Sequence, residues 1–312
     1  MDRSCFLVVM LVLSPLAAWA QTSDFEYPTL WDPSTIVSSS VDYADGDAKL
    51  KGYLAYSNAT SGPRPVVIIY PDWDGISNYE RFRANLFASM GYAGFVADVY
   101  SQAVQQGPSI PAANRSALMM PFRSNSSYYR PRLLAALNTV RTLDIAQKDK
   151  IFAIGYCFGG GGVFELARAW PNTPGLLGVG GYHPGPLVSA GPKMQAGSPL
   201  RVYAFSGAED PGITGDSVVA WKDEMRAANV TWGYYNYGAT VHGFTLLESP
   251  VWTGNKNVSN GYNAAADHAS WWALRGILLE VFQLTNTSNA YTSAGGAYDY
   301  QTGMAGTKLM SA

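Results

Sequence analysis

Short, uninterrupted runs of apolar and β-branched residues alternate with stretches whose apolar residues recur at helical spacing, and this alternation runs from Lys49 to Phe282. Strands are predicted over Lys49–Tyr56, Pro65–Tyr70, Ala93–Tyr100, Ile151–Gly155, Leu176–Tyr182, Leu200–Phe205 and Thr231–Tyr237. Between them, helices are predicted after a cap at Ser77 or Asn78 (Phe82, Leu86 and Phe87 inward) and over Tyr128–Leu143 (Leu133, Leu134, Leu137 and Val140 inward). Others follow over Gly159–Trp170, Asp216–Ala228 and Ala264–Phe282. Runs such as Pro65–Tyr70 lack polar alternation, as expected of strands covered on both faces. The order therefore predicts an α/β fold: a mostly parallel central sheet with helices on both faces, and a site at the carboxyl ends of its strands.

The segment Ser101–Ser127, with Pro108, Pro111 and Pro121, is long for a loop in a compact domain; Ala112–Met120 is expected to form a helix within it. No internal repeat or internal boundary is visible, which gives one domain over residues 40–283. Before it, the polar stretch Gln21 to about Asp45 reads largely as an N-terminal extension (residues 21–39). After it, residues 284–312, rich in Ser, Thr, Ala and Gly, read as a flexible tail.

Residues 1–20 have the form of a secretory signal: Arg3, an apolar run Cys5–Leu13, Pro15, then Ala18-Trp19-Ala20 before the expected cleavage. A membrane anchor is the competing reading, but Cys5–Ala20 is shorter than the roughly 20 residues of a spanning helix and contains a proline. Sequons at Asn58, Asn114, Asn125, Asn229, Asn257 and Asn286 favour the same secretory route and are candidate glycosylation sites. The net charge of −2, without a basic or acidic block, gives no electrostatic case for nucleic acid or an anionic membrane as a partner, and points to a small or neutral substrate. Cleavage would leave Cys157 as the single cysteine, a thiol that is buried and inert, paired with another molecule, or kept for its reactivity.

Cys157 sits in Gly155-Tyr156-Cys157-Phe158-Gly159-Gly160, between an apolar strand and the start of a helix. This is the nucleophile-elbow pattern with cysteine in place of serine: a tight strand-to-helix turn that forbids bulk two residues before and two after the nucleophile. The helix start supplies positive potential for a thiolate and the Phe158 N–H for an oxyanion. A thiolate needs a base, and the chain has three histidines. His242, in the loop after the last strand, is the candidate base; Asp210, after the Leu200–Phe205 strand, is the candidate orienting acid, with Glu209 as the alternative. His183, before Pro184, is a minor candidate for a pocket residue, and His268, beside Trp271 and Trp272, is read as packing or surface.

The elbow, Gly207-Ala208-Glu209-Asp210 and His242-Gly243-Phe244, in this order, resemble the dienelactone hydrolase family over about Lys49–Phe282. The resemblance implies an α/β-hydrolase fold and a Cys157–His242–Asp210 triad acting on an ester or lactone through an acyl-thioenzyme, with no cofactor and no metal. It also implies that Asp72 modulates the nucleophile and that Trp73 gives a second oxyanion N–H. Family members opening muconate-pathway lactones carry glutamate where this chain has Asp72, and an arginine shortly after the histidine where it has Gly243, Phe244, Thr245, Leu246 and Leu247. Arg115 and Arg123, in the long segment, are the candidates to replace that arginine in substrate binding. Dienelactone itself is therefore not assigned. The rival readings are a secreted non-catalytic binding protein on the same scaffold, and a thioesterase or peptidase.

Overall fold

The structure is a computed structural model that describes residues 25–104, 106–255 and 257–283, with the backbone of 298–299 and 304–305. The signal segment 1–20, most of the tail after residue 283, and Asn286 lie outside the described residues.

Eight strands form one sheet in the order β1-β2-β4-β3-β5-β6-β7-β8: β1 (Ile36–Asp45), β2 (Ala48–Ser57), β3 (Arg64–Tyr70), β4 (Ala93–Val96), β5 (Ala146–Tyr156), β6 (Leu176–Tyr182), β7 (Arg201–Gly207) and β8 (Thr231–Tyr237). β1 pairs antiparallel with β2, and β2 with β4; from β4 to β8 every pairing is parallel. All seven residues of β3 are buried, the expected consequence of a run with no polar face. Helices α1 (Asn78–Ser89) and α6 (Ala264–Val281) cover one face. The other carries α2 (Ala112–Arg123), α3 (Ser126–Val140), α4 (Phe158–Arg168) and α5 (Gly215–Ala228). Two apolar cores result, one on each side of the sheet.

Ser77 caps α1, and Glu80 returns the bond to the Ser77 N–H at 2.8 Å, completing a capping box. The strand expected over Ala93–Tyr100 stops at Val96, because the Asp98 carboxylate collects the N–H groups of Tyr100 (3.0 Å), Ser101 (2.9 Å) and Lys51 (3.0 Å) and turns the chain. The Asn125 side chain starts α3 two residues before the expected Tyr128, accepting from the Ser127 and Tyr128 N–H groups.

The stretch read as polar and irregular up to Asp45 contains β1, which begins at Ile36, inside the expected extension, and pairs with β2 over its full length. Its sequence Ile-Val-Ser-Ser-Ser-Val-Asp-Tyr-Ala-Asp hides a weak alternation, with Val41 and Tyr43 turned to the core, because the Ser38–Ser40 part of this edge strand lies exposed. Ahead of it, Tyr27 and Trp31 lie against Phe82 of α1, with ring centroids 5.1 and 5.8 Å apart.

Candidate active site

Four parallel strands deliver side chains to one edge of the sheet. Asp72 follows β3, Cys157 follows β5, Asp210 follows β7 and His242 follows β8, each just beyond a carboxyl end.

Cys157 adopts φ 50°, ψ −108°, a left-handed conformation that costs an L-residue energy and that the surroundings must enforce. They do so through the backbone. The Cys157 N–H donates to the Tyr182 carbonyl at 3.0 Å, and its carbonyl accepts from Gly161 at 3.1 Å and Gly185 at 3.0 Å. A Cβ on Gly155 would lie 2.0 Å from the Gly159 carbonyl oxygen, and one on Gly159 would lie 2.2 Å from that of Tyr70. Those contacts are the steric reason for glycine on both sides of the turn. Phe158, the first residue of α4, has no preceding turn to receive its N–H, which is thereby directed to the space at the helix start. Its ring lies between Tyr100 (6.0 Å, interplanar 3°) and Tyr129 (4.8 Å, 4°), a stack that anchors the helix start.

His242 and Asp210 meet through Nδ1 and Oδ2 at 2.7 Å. The second oxygen of Asp210 accepts from the Gly212 N–H at 2.8 Å, so both oxygens are engaged and the side chain is only 1% exposed. Adjacent Glu209, the alternative acid, points to solvent. The imidazole keeps 21% of its surface open and lies within electrostatic reach of the Cys157 thiol, which is partly buried. The His242 main chain is fixed by bonds to Ser259 and from Gly261 at 3.2 and 3.1 Å. The His242–Asp210 pair and the Cys157 thiol thus come from loops at one edge of the sheet, in the chain order read from the sequence.

Asp72 joins this group. Its carboxylate interacts with the Cys157 thiol and also accepts the N–H of Trp73. Trp73 was expected to offer that N–H to an oxyanion; in the structure it is taken, because the aspartate is short enough to fold back on its own following peptide. Burial pushes the Cys157 thiol up to about 11, and the neighbouring Asp72 carboxylate adds to this against the opposing pull of His242. Burial also opposes a charge on His242, but the Cys157 sulfur and the Asp210 carboxylate outweigh it and hold the imidazole well above its ordinary range. Burial raises Asp72 as well.

Sequence reasoning missed the acids behind Asp72. Glu80 accepts from the Asp72 N–H at 3.4 Å and is pushed up to about 7 by burial, while burial and Asp72 push Asp74 well upward. The Ser77-x-x-Glu80 spacing is a capping-box signal that would have found Glu80. Tyr27, from the N-terminal segment, donates to Glu248, six residues beyond His242. No local pattern announces that contact.

Three candidate substrate-binding residues are placed elsewhere. Arg115 is buried, its guanidinium bonded to the Ile110 and Pro108 carbonyls and lying 5.7 Å from the Trp73 ring centroid; it braces the loop into α2. Arg123, exposed at the end of α2, lines a cleft with Ser126, Tyr129, Phe158 and Glu165 whose walls include neither Cys157 nor His242. His183 is fully buried, with its ring against that of His242 rather than lining an open pocket. The tight β6 end, where His183 takes φ 35° and its N–H meets the Phe205 carbonyl at 2.7 Å, turns it inward. His268 lies exposed on α6 and accepts from the Trp272 indole. Among the described residues no group of His, Cys, Asp and Glu could hold a metal ion, and no helix is long and apolar enough to cross a membrane.

An eight-stranded, mostly parallel sheet with these loops at its carboxyl edge defines an α/β-hydrolase. The profile of the Dienelactone hydrolase family matches residues 50–282, about three-quarters of the chain, and the chain belongs to that family. It is accordingly a hydrolase acting on ester bonds. A dienelactone hydrolase-like promiscuous phosphotriesterase, P91 from metagenomic libraries, superimposes with TM-score 0.71 at 28% identity, covering 79% of this chain and 99% of that one. A Synechocystis sp. protein, named a carboxymethylenebutenolidase by inference, is 25% identical over 67% of this chain and 87% of its own length. The uncharacterized protein K02A2.1 of Caenorhabditis elegans is 30% identical over 49% of this chain and 94% of its own length.

Proposed function

We propose that the protein cleaves a small, uncharged ester or lactone by two-step acyl transfer on Cys157. The observation that supports this reading is the His242–Asp210 bond at 2.7 Å, with the Cys157 thiol on its strained elbow beside it at the carboxyl edge. His242 takes the thiol proton as the sulfur attacks the carbonyl, and the Phe158 N–H receives the developing oxyanion. The alcohol leaves with the proton returned by His242, and water activated by the same imidazole releases the acid. Trp73 supplies the second N–H only when Asp72 lets go of it, so substrate entry and rotation of Asp72 are coupled. The buried Phe244, Thr245 and Leu246 after His242, and the engagement of Arg115 by loop carbonyls, favour a neutral substrate over a carboxylated lactone.

We also propose the secretory route for this protein, on the leader-like residues 1–20 and the sequons. The asparagines of the five sequons within the described residues, Asn58, Asn114, Asn125, Asn229 and Asn257, are all exposed, which supports their use as glycosylation sites.

Alkylation tests the assignment. One equivalent of iodoacetamide is expected to abolish aryl acetate hydrolysis, with the label on Cys157. Because burial and Asp72 raise the thiol, to about 11, the alkylation rate climbs as pH rises through the alkaline range instead of levelling off near neutrality. Asp72→Asn removes a negative neighbour that raises the thiol; the thiolate fraction at pH 7.5 then increases, and alkylation quickens on the order of tenfold. Full activity in the labelled protein would refute the assignment.

A further inference from the structure

Behind His242 runs a buried polar chain that the acyl-transfer steps do not use. Asp267 of α6 pairs with Arg83 of α1 at 2.8 Å, both side chains being at most 2% exposed. The Arg83 Nε donates to the Tyr79 hydroxyl at 3.3 Å, and a second guanidinium nitrogen donates to the Thr245 carbonyl at 3.0 Å. Tyr79 Oη and Thr245 Oγ1 are 2.7 Å apart, and Thr245 Oγ1 and His183 Nε2 are 2.9 Å apart. The His183 ring then abuts His242, with centroids 5.0 Å apart at 67°.

Arg83 can only donate, so the Tyr79 hydroxyl accepts from it, and the Tyr79 and Thr245 hydroxyls carry the chain on to His183 Nε2. Its Nδ1 has no hydrogen-bond partner among the described residues, and Phe244 and Tyr156 complete its surroundings with rings at 5.4 and 5.9 Å. The single side-chain hydrogen bond with Thr245 therefore pins the ring.

We propose that Thr245 and His183 are positioning residues that hold the His242 imidazole in the plane needed for proton exchange with Cys157. Asp210 grips His242 at one atom only, and a ring held at one atom can still swing; the buried His183 ring blocks that swing on the side away from solvent. A charged wall would repel the imidazolium formed during catalysis. Burial, His242 and Arg83 all hold His183 well below its ordinary range; the titratable groups around it are His242 in its loop, Arg83 and Tyr79 on α1 and Tyr156 on β5. The wall stays neutral while His242 cycles.

This inference rests on the acyl-transfer reading, and the test separates the two. Thr245→Val keeps the volume and removes the hydroxyl; Thr245→Ser removes a methyl and keeps the hydroxyl. The brace predicts that Thr245→Val lowers kcat for an aryl acetate about tenfold with KM within about twofold, as a modest misplacement of a catalytic group does, and that Thr245→Ser recovers most of the rate. Equal activity of Thr245→Val and wild type, or Thr245→Ser as impaired as Thr245→Val, overturns it, the latter by showing that packing is what matters. If Thr245→Val does not fold, histidine 15N chemical shifts of the wild type decide: His183 remains neutral from pH 5 to 9 as a single tautomer held by Thr245, and titration of His183 in that range or rapid exchange between its two tautomers overturns the proposal. If wild-type hydrolysis survives alkylation of Cys157, the acyl-transfer reading itself fails, whatever Thr245 does.

Discussion

Cys157→Ala is expected to lower kcat/KM for a small aryl ester by about 10⁴-fold or more, a loss near 5 kcal/mol of transition-state stabilisation. The effect is this large because no second nucleophile replaces the sulfur. Among the described residues Cys157 is the free cysteine, and it stands where strand β5 and helix α4 hold it in a conformation that few residues adopt. His242→Ala should be nearly as severe, since burial and Asp72 leave the thiol protonated near neutrality without a base. The double variant should be little worse than either single one, because the two groups act in one proton transfer and their losses do not add. Stopped or endpoint assays with matched protein concentrations measure all three. Circular dichroism should be unchanged in Cys157→Ala, whose side chain contributes little to the core.

The second large effect concerns stability. Asp267→Ala leaves the Arg83 guanidinium buried without its counter-charge, and removing one partner of such a pair costs about 3–5 kcal/mol. Burial raises the Asp267 carboxyl while Arg83 pulls it down; what the pair contributes depends on both members being present. Urea unfolding should show the midpoint of Asp267→Ala well below wild type. The double replacement Arg83→Met with Asp267→Leu should recover much of the difference, because an apolar pair of similar volume carries no desolvation penalty. A single variant as stable as wild type would mean that α1 and α6 are held by apolar contacts alone. Thr245 accepts from the same guanidinium, so Asp267→Ala should also slow hydrolysis.

The strands that position the chemistry were legible because they are buried on both faces. Val66–Tyr70 and Ile151–Tyr156 carry almost no polar residue, and Leu176–Tyr182 was read with its observed bounds. The elbow was legible for a steric reason: Gly155 and Gly159 stand where backbones approach within what a side chain allows. β1 was not read as a strand, since an exposed edge tolerates Ser38-Ser39-Ser40 and its inward face is reduced to Val41 and Tyr43. Its turn, Asp45-Gly46 with Gly46 at φ 56°, was the available signal. The partners of Cys157 and His242 divide in the same way. Asp210 was picked out from its place after a strand, whereas His183, Thr245 and Tyr79 come together from three separate segments through hydrogen bonds that no spacing encodes. Arginines were the hardest to place, because a guanidinium such as that of Arg115 serves backbone carbonyls or a substrate with the same donors, and only its burial tells which.

Everything proposed for the chemistry depends on sulfur becoming covalently bound to the acyl group. Rapid-quench intact mass spectrometry of the wild-type protein mixed with p-nitrophenyl acetate measures this directly. The account predicts a burst of about one nitrophenolate per protein, with a mass gain of one acetyl group that maps to Cys157 and decays at the turnover rate. Steady hydrolysis without a burst would contradict it if the unmodified protein dominates at every time point and an alkylated thiol leaves the rate unchanged.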